Sequence, residues 1–567
     1  MGGLELVLLL LSVSAGLRII ANRLELPYAS MLVIGGLLLV FIPNLPRVEL
    51  APDVLFLIFV PPLLYWGAVS FPLRDLRREL GPILRLAIIM VLVSTAAVAV
   101  LAHYMDPAFT WAAAFTLGAI VSPPDPVAVI SLMRTPTLRA PRPIESILEG
   151  EGLLNDATAL VAYRIAVAAA VTGTFSPLRA SWQFLLAAAG GLAIGLAVGF
   201  VIGRFHRLMK SVPVAENTVS LLTPFAAYLP ADLVGASGVV AVVACGMYLA
   251  RHLPDVGSPE TRLQDQSMWL VVTFLLESLV FILVGLELPY VMRSLGGFPL
   301  SELIKEAALV CVCVVIVRMI WVIPSTYIGR TVGAWLRGQH TDYPSWRWLF
   351  FIGWSGIRGG DSLVIALALP LTTMAGTPFP ARGRIIFITF SVIFVTLVAQ
   401  SPTLAPLARW LGIQSDGRGG EGEEAHARLS ATEAGLAVLA SPQFANSPYP
   451  EIPRYLRQRH RQRARRWATI ESRRGHHGPN DNQHEHLVSA PSHDAGQLDD
   501  RRAAEYRRIR SAMIEAERDT LRGLRDRDVI GDDVMRRVLR DLDLETVLLD
   551  SREPVIEPSS EAPWTGS

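Results

Sequence analysis

The sequence predicts an all-α polytopic membrane protein with about thirteen transmembrane helices, two of them broken crossing helices of an inverted repeat, followed by a cytoplasmic helical tail. Three observations carry this fold class. Mean hydropathy is +0.41 over 567 residues, too apolar for a soluble chain, and the apolar residues come in blocks. The blocks reach bilayer-crossing length and end at charges, Gly or Pro. Two of them are interrupted, one by Pro123, Pro124 and Pro126, the other by Gly353, Gly356, Gly359 and Gly360 around Arg358.

In order, the expected spans are 4–21, 29–43, 53–70, 82–104, 108–133, 145–173, 181–203, 216–231, 235–250, 267–291, 301–328, 347–370 and 383–410. The opening MGGLELVLLLL has neither a basic leader nor a small-x-small cleavage site, so it reads as a retained first helix. Arg74, Arg77, Arg78, Arg134, Arg139, Arg142, Arg204, Arg207, Lys210, Arg330 and Arg337 fall in loops on one side. The positive-inside rule puts that side in the cytoplasm, with the N-terminus outside. Paired interruptions at corresponding positions point to an inverted repeat with a midplane site, the seventh span linking the halves.

The chain divides as 1–412, a membrane domain; 413–500, a flexible cytoplasmic linker with a basic segment; and 501–567, a cytoplasmic helical hairpin and tail. Within the linker, RYLRQRHRQRARRW could lie on an anionic leaflet or stand as a solvated basic helix. In the hairpin, Ile509, Met513 and Ala516 share one face and Val534, Val538 and Leu542 another. Formal net charge is +1, which suggests no nucleic-acid partner. Cys245, Cys311 and Cys313 all lie in apolar spans and read as core residues, without disulfide or zinc spacing. His476, His477, His484 and His486 read as linker rather than as a metal site, and no cofactor is expected beyond the transported ions.

The chemistry concentrates between Ser122 and Arg164, where Asp125, Glu149, Glu151, Asn155 and Asp156 sit inside crossing segments. Each acid near the membrane centre costs at least about 2.5–3.5 kcal/mol, so such residues mark ion or proton pathways. The three prolines break the fifth span around Asp125 and leave carbonyls near Ala119, Ile120 and Ser122 unpaired. Unpaired carbonyls beside a carboxylate suit a small cation. On the sixth span, Gly152 and Asp156 share a helix face, while Glu151 lies well round from Asp156. Asp156 is therefore expected to face the cavity, and Glu151 to point into packing against a permanent partner. Asp125 would face Asp156 across the crossing, and Ser122 would offer its hydroxyl or its carbonyl.

The runs SPPDPVAV, EGEGLLNDATALV and GWSGIRGGDSLVIALALP resemble those of the monovalent cation:proton antiporter family 1, the sodium/proton exchangers, over roughly Leu4 to Gly412. The resemblance implies a secondary antiporter, not an enzyme, in a plasma membrane. It exchanges Na+, or alternatively K+, for protons that compete for Asp156. An Asn-Asp pair such as Asn155–Asp156 goes with electroneutral exchange in this family, so one proton per cation is expected. Arg318 and Arg358 match family arginines. By the family pattern Glu151 pairs with Arg318 as a structural ion pair, which leaves Glu277 as the partner expected for Arg358. A homodimer in membrane lipid is implied too, through the first and seventh helices. A third reading, from another class, is a non-transporting sensor, against which the intact Asp125, Asn155 and Asp156 argue. Departures from the family stand at Gly152 (often Ser), Pro124 (often Thr), Trp66 (Glu in some members) and Asp361 (commonly apolar).

Overall fold

A computed structural model describes residues 3–24, 27–42, 52–133, 140–209, 212–252, 258–295, 298–337, 343–413, 418–472 and 499–550. The chain separates into two compact units, Met1–Gly257 with Gln264–Ser415, and Ser258–Leu263 with Asp416–Ser567.

In the first unit, α1 (Gly3–Leu24), α2 (Tyr28–Leu39) and α3 (Pro52–Ser70) open the chain. Pro27 precedes α2, whose twelve residues carry no charge. α4 (Leu73–Leu84) runs through a π-turn, Arg85–Met90, into α5 (Val91–Met105). α6 (Trp111–Val121) is capped by Thr110, whose hydroxyl accepts from the Ala113 amide at 3.3 Å, and stops at the proline break before α7 (Val127–Met133). α8 (Arg142–Thr172) has Pro143 in its first turn and ends at Gly173, where a φ of 71° turns the chain out of the helix. Then come α9 (Pro177–Leu208), α10 (Pro213–Leu233), α11 (Gly238–His252), α12 (Pro259–Ser294) and α13 (Leu300–Arg337). The second interruption separates α14 (Trp346–Trp354) from α15 (Gly360–Leu367). α16 (Arg382–Phe394) passes through a π-turn and a short 3₁₀ turn into α17 (Leu404–Leu411).

Each expected span contains helix, and both expected breaks are present. Seven helices are long and apolar enough to cross a membrane among the described residues, with four shorter apolar ones beside them. A count of thirteen crossings therefore rests on the short and the broken segments. The least buried of the long spans are Ser181–Leu208, with 17% of its apolar window buried, and Glu5–Leu24, with 22%. Their outward faces carry Leu8, Ile19, Trp182, Leu185, Leu192 and Phe200, an apolar surface that only lipid or another apolar face can cover.

The second unit corrects the expected linker. Residues 413–500 hold α18 (Arg418–Val438), α19 (Pro442–Ala445) and α20 (Glu451–Ser472), and these pack rather than trail. Ala427 and Ala431 of α18 are buried with Ile514, Leu521, Val538 and Leu542. The basic stretch lies on α20, which buries Ile452 and Leu456 against Ile509 and Met513. The composition is that of a linker because α18 is rich in Ala, Gly and Glu. Small side chains nevertheless let helices approach closely, and an apolar stripe only a few residues wide suffices to bury one face. α21 (Asp499–Asp526) and α22 (Asp532–Asp550) are the two helices expected of the hairpin. Ala516 is half-buried, whereas Val534, Val538 and Leu542 are core. Inside this unit Arg510 is buried and donates to Glu517 and Glu545, each at 2.7 Å. Residues 473–498, including His476, His477, His484 and His486, lie outside the described residues.

Candidate ion and proton site

The two broken segments meet each other. The Asp125 amide donates to the Ile357 carbonyl at 2.7 Å, across the breaks. Its carboxylate Oδ1 accepts from the Val127 amide at 2.8 Å, so the side chain caps the first turn of α7. From the other side, Arg358 Nε donates to the Val121 carbonyl at 2.7 Å, the group that the proline break frees at the end of α6. The chain at Gly359 passes so close to Asp125 that a β-carbon there would lie 2.2 Å from Oδ2. Sequence reasoning places each break separately, and tertiary packing joins them.

α8 closes the site. A β-carbon on Gly152 would stand 2.1 Å from Cγ of Pro126, so the glycine is where α8 packs on the break. The face that Gly152 shares with Asp156 is thus filled, at that turn, by the proline ring. Asn155 is fully buried and its Nδ2 donates to the Pro124 carbonyl at 2.6 Å, while its Oδ1 has no hydrogen-bond partner. Asp156, next along α8, is half-buried, with Asp361 and Asp125 as its electrostatic neighbours. Asp125, Asn155 and Asp156 are thus brought to the same break, Asn155 by a hydrogen bond and Asp156 as an electrostatic neighbour of Asp125.

Ser122 is placed differently. Its hydroxyl donates to the Gly118 carbonyl at 2.5 Å and accepts from Thr95 at 3.1 Å, turned back onto α6 instead of into the break. A serine one residue past a helix end satisfies the last carbonyls first. Trp66 stacks on Trp269 with ring centroids 5.8 Å apart, an aromatic contact.

The ion pairs divide into one expected and one corrected. Arg318 grips Glu151 through both oxygens, at 2.5 and 2.7 Å, with both residues buried. Glu277 does not partner Arg358. The Arg358 guanidinium is satisfied by the Val121 and Gly356 carbonyls, and Glu277 has Asp125, Arg18 and Asp361 as its neighbours. Helix breaks supply carbonyls that need donors, so a buried arginine beside one has no need of an acid. Arg164 pairs with Asp232 at 2.7 Å on a half-exposed surface.

Sequence reasoning missed two features. Arg384 is buried and held by Glu306 and by Asp106, the latter at 3.1 Å. The signal was an acid and a base at the starts of two crossing segments. Asp361 stood out only as a departure, yet it is an electrostatic neighbour of Asp125 and Asp156. The signal was an acid directly after a glycine-rich break. Among the described residues no three or more His, Cys, Asp and Glu side chains close in as a metal cage would.

A helical membrane unit whose two broken segments meet beside half-buried acids defines a class, the ion-coupled secondary transporters. A family model described as "Sodium/hydrogen exchanger, transmembrane" matches residues 8–410, and the chain belongs to that family. An uncharacterized Na(+)/H(+) exchanger of Mycobacterium tuberculosis is 31% identical over 553 residues, covering 96% of each chain. The sodium, potassium, lithium and rubidium/H(+) antiporter of Bacillus pumilus is 35% identical over 413 residues, covering 71% of this chain and 60% of that one. The Na(+)/H(+) antiporter ApNhaP of Aphanothece halophytica is 32% identical over 443 residues, 77% of this chain and 80% of its own. The solved sodium proton antiporter MjNhaP1 of Methanocaldococcus jannaschii superposes with a TM-score of 0.53 at 19% identity, covering 72% of this chain and 98% of that one, and shows the shared fold. The chain is a multi-pass membrane transporter of the cation/proton antiport class.

Proposed function

We propose that this antiporter exchanges Na+ for H+ across the plasma membrane by letting both ions compete for the Asp156 carboxylate. One observation carries the reading. Asp156 is a half-buried acid at the crossing of two broken helices, with no ion pair or hydrogen bond to a basic side chain among the described residues. A carboxylate so placed must take a proton or a cation from solution, and exchange is obligatory if only occupied forms reorient. Asp125 would ligate directly or through water while holding the broken backbone. Asn155 braces the break and cannot titrate, so the Asn155–Asp156 pair brings one exchangeable proton, and one proton per cation is the count this reading expects. Glu151–Arg318 fixes α8 and is a structural pair.

The tail is cytoplasmic and the N-terminus outside in this reading, by the loop arginines. A homodimer formed through α1 and α9 is supported by the large apolar faces of those two spans. Potassium is the second reading, favoured by a relative whose name includes sodium, potassium, lithium and rubidium.

Proton flux in proteoliposomes with an internal pH dye tests the proposal, with Na+, K+ and Li+ added in turn. The wild type should respond to Na+, and Asp156→Asn should give no response while inserting normally. A D156N protein that still acidifies or alkalinises the lumen on Na+ addition removes the basis of the proposal.

A further inference from the structure

The second break brings one more acid to the site. Asp361 stands in the first turn of α15, two residues after the Gly359 that lies against Asp125. It is half-buried, with Asp125 and Asp156 as electrostatic neighbours. The charged groups facing this space are Asp125 from the first break, Asp156 from α8 and Glu277 from α12, with Arg18 of α1 acting on Glu277. The buried arginines nearby are engaged elsewhere, Arg358 with two carbonyls and Arg318 with Glu151. A second, independent observation points to a ligand. The fully buried Asn155 leaves its Oδ1 without a donor, on the amide whose nitrogen holds the carbonyl just before Asp125. A buried acceptor beside unneutralised carboxylates is a place for a positively charged guest.

We propose that Asp361 is an affinity-setting carboxylate of the ion path, whose charge, brought in by the second broken segment, tightens the hold of the site on the transported cation. The proposal rests on Asp156 being the exchange carboxylate. An acid in the first turn of a helix also favours that helix end. That role acts on stability, whereas the proposed one acts on the concentration of cation needed. Removing one negative charge weakens proton and cation binding together, so at low pH the two effects offset each other in the apparent KM. In the alkaline limit protons no longer compete and the cation effect stands alone.

The test is Na+-driven proton flux by the full chain in proteoliposomes, with KM and Vmax followed into the alkaline limit for wild type, D361N, D361E and D156N. D361N should raise the limiting KM for Na+ about tenfold with Vmax nearly kept, since one neighbouring unit charge in a half-buried site is worth roughly a decade in binding. D361E should restore most of the affinity. A wild-type KM in D361N, or a fall in Vmax without a change in KM, overturns the proposal. An equal loss of affinity in D361E and D361N overturns it too, since charge is then not the cause. KM does not depend on how much protein folds, so poor yield of a variant leaves the reading intact. Exchange persisting in D156N would instead overturn the assignment of Asp156, whatever D361N does.

Discussion

At Glu151 and Arg318 two opposite charges lie out of water, joined through both carboxylate oxygens. Their mutual attraction roughly offsets the cost of burying them, so the pair adds little net stability, but losing one partner strands the other. Glu151→Gln is expected to destabilise the membrane unit by about 3–5 kcal/mol and to lower the yield of folded protein. The variant that does fold should keep a near-normal KM for Na+, measured on the purified fraction. A KM raised together with a normal yield would mean that Glu151 serves the ion directly. Asp156 contrasts with this pair. The sequence puts the two acids on different faces of one helix, and the structure gives one an arginine and leaves the other facing acids. That same contrast makes charge counting testable. With valinomycin and clamped K+, the exchange rate should not vary with membrane voltage if a single proton moves per cation, and a voltage-dependent rate would refute that count.

Among the elements, the broken segments and α8 form one interlocked piece. Gly152 lies against the Pro126 ring and Gly359 against Asp125, and neither position has room for a β-carbon. A proline ring cannot rotate out of the way as a long side chain can. Gly152→Ala should therefore push α8 off the break and cost about 1–3 kcal/mol, the usual penalty of overpacking. The midpoint of thermal unfolding in detergent measures this. Transport should fall more than stability does, since the shift moves Asp156 relative to Asp125. The proline and glycine breaks are legible in the sequence because their causes are local, a missing amide in one case and backbone freedom in the other. The partner of Arg358 was not legible. It depends on which carbonyl the first break frees and where the second break passes, and both are facts of packing.

For the molecule as a whole, the second unit has its own core and its own charge network. Burial alone would push the Glu517 carboxyl up, but His460 and the Arg510 guanidinium beside it hold it below its ordinary value. Glu545 is likewise held down against burial by Arg510. A carboxylate whose folded value lies below its unfolded one contributes stability that is complete above the unfolded value, about 4.3, and fades as pH falls through the folded one. Hydrogen exchange on the full chain should therefore show α21 and α22 losing protection as pH drops below that range. Arg510→Met should lower protection at neutral pH and flatten the loss on acidification. Unchanged protection in that variant would show that the network contributes nothing to the tail.

Hydropathy, loop charge and the two kinds of break are properties of short stretches, and short stretches settle them. The membrane class, the broken spans and the placing of Asp125 and Asp156 inside crossing segments could thus be read before any fold was known. Partnership is decided by approach across long sequence distances. Asn155 holding Pro124, Arg358 reaching Val121, Asp361 brought within electrostatic reach of Asp156 and α18 packing into the tail all depend on helices that meet only when the chain is folded. A buried charge takes whatever group lies within reach, and only the tertiary structure determines what is within reach.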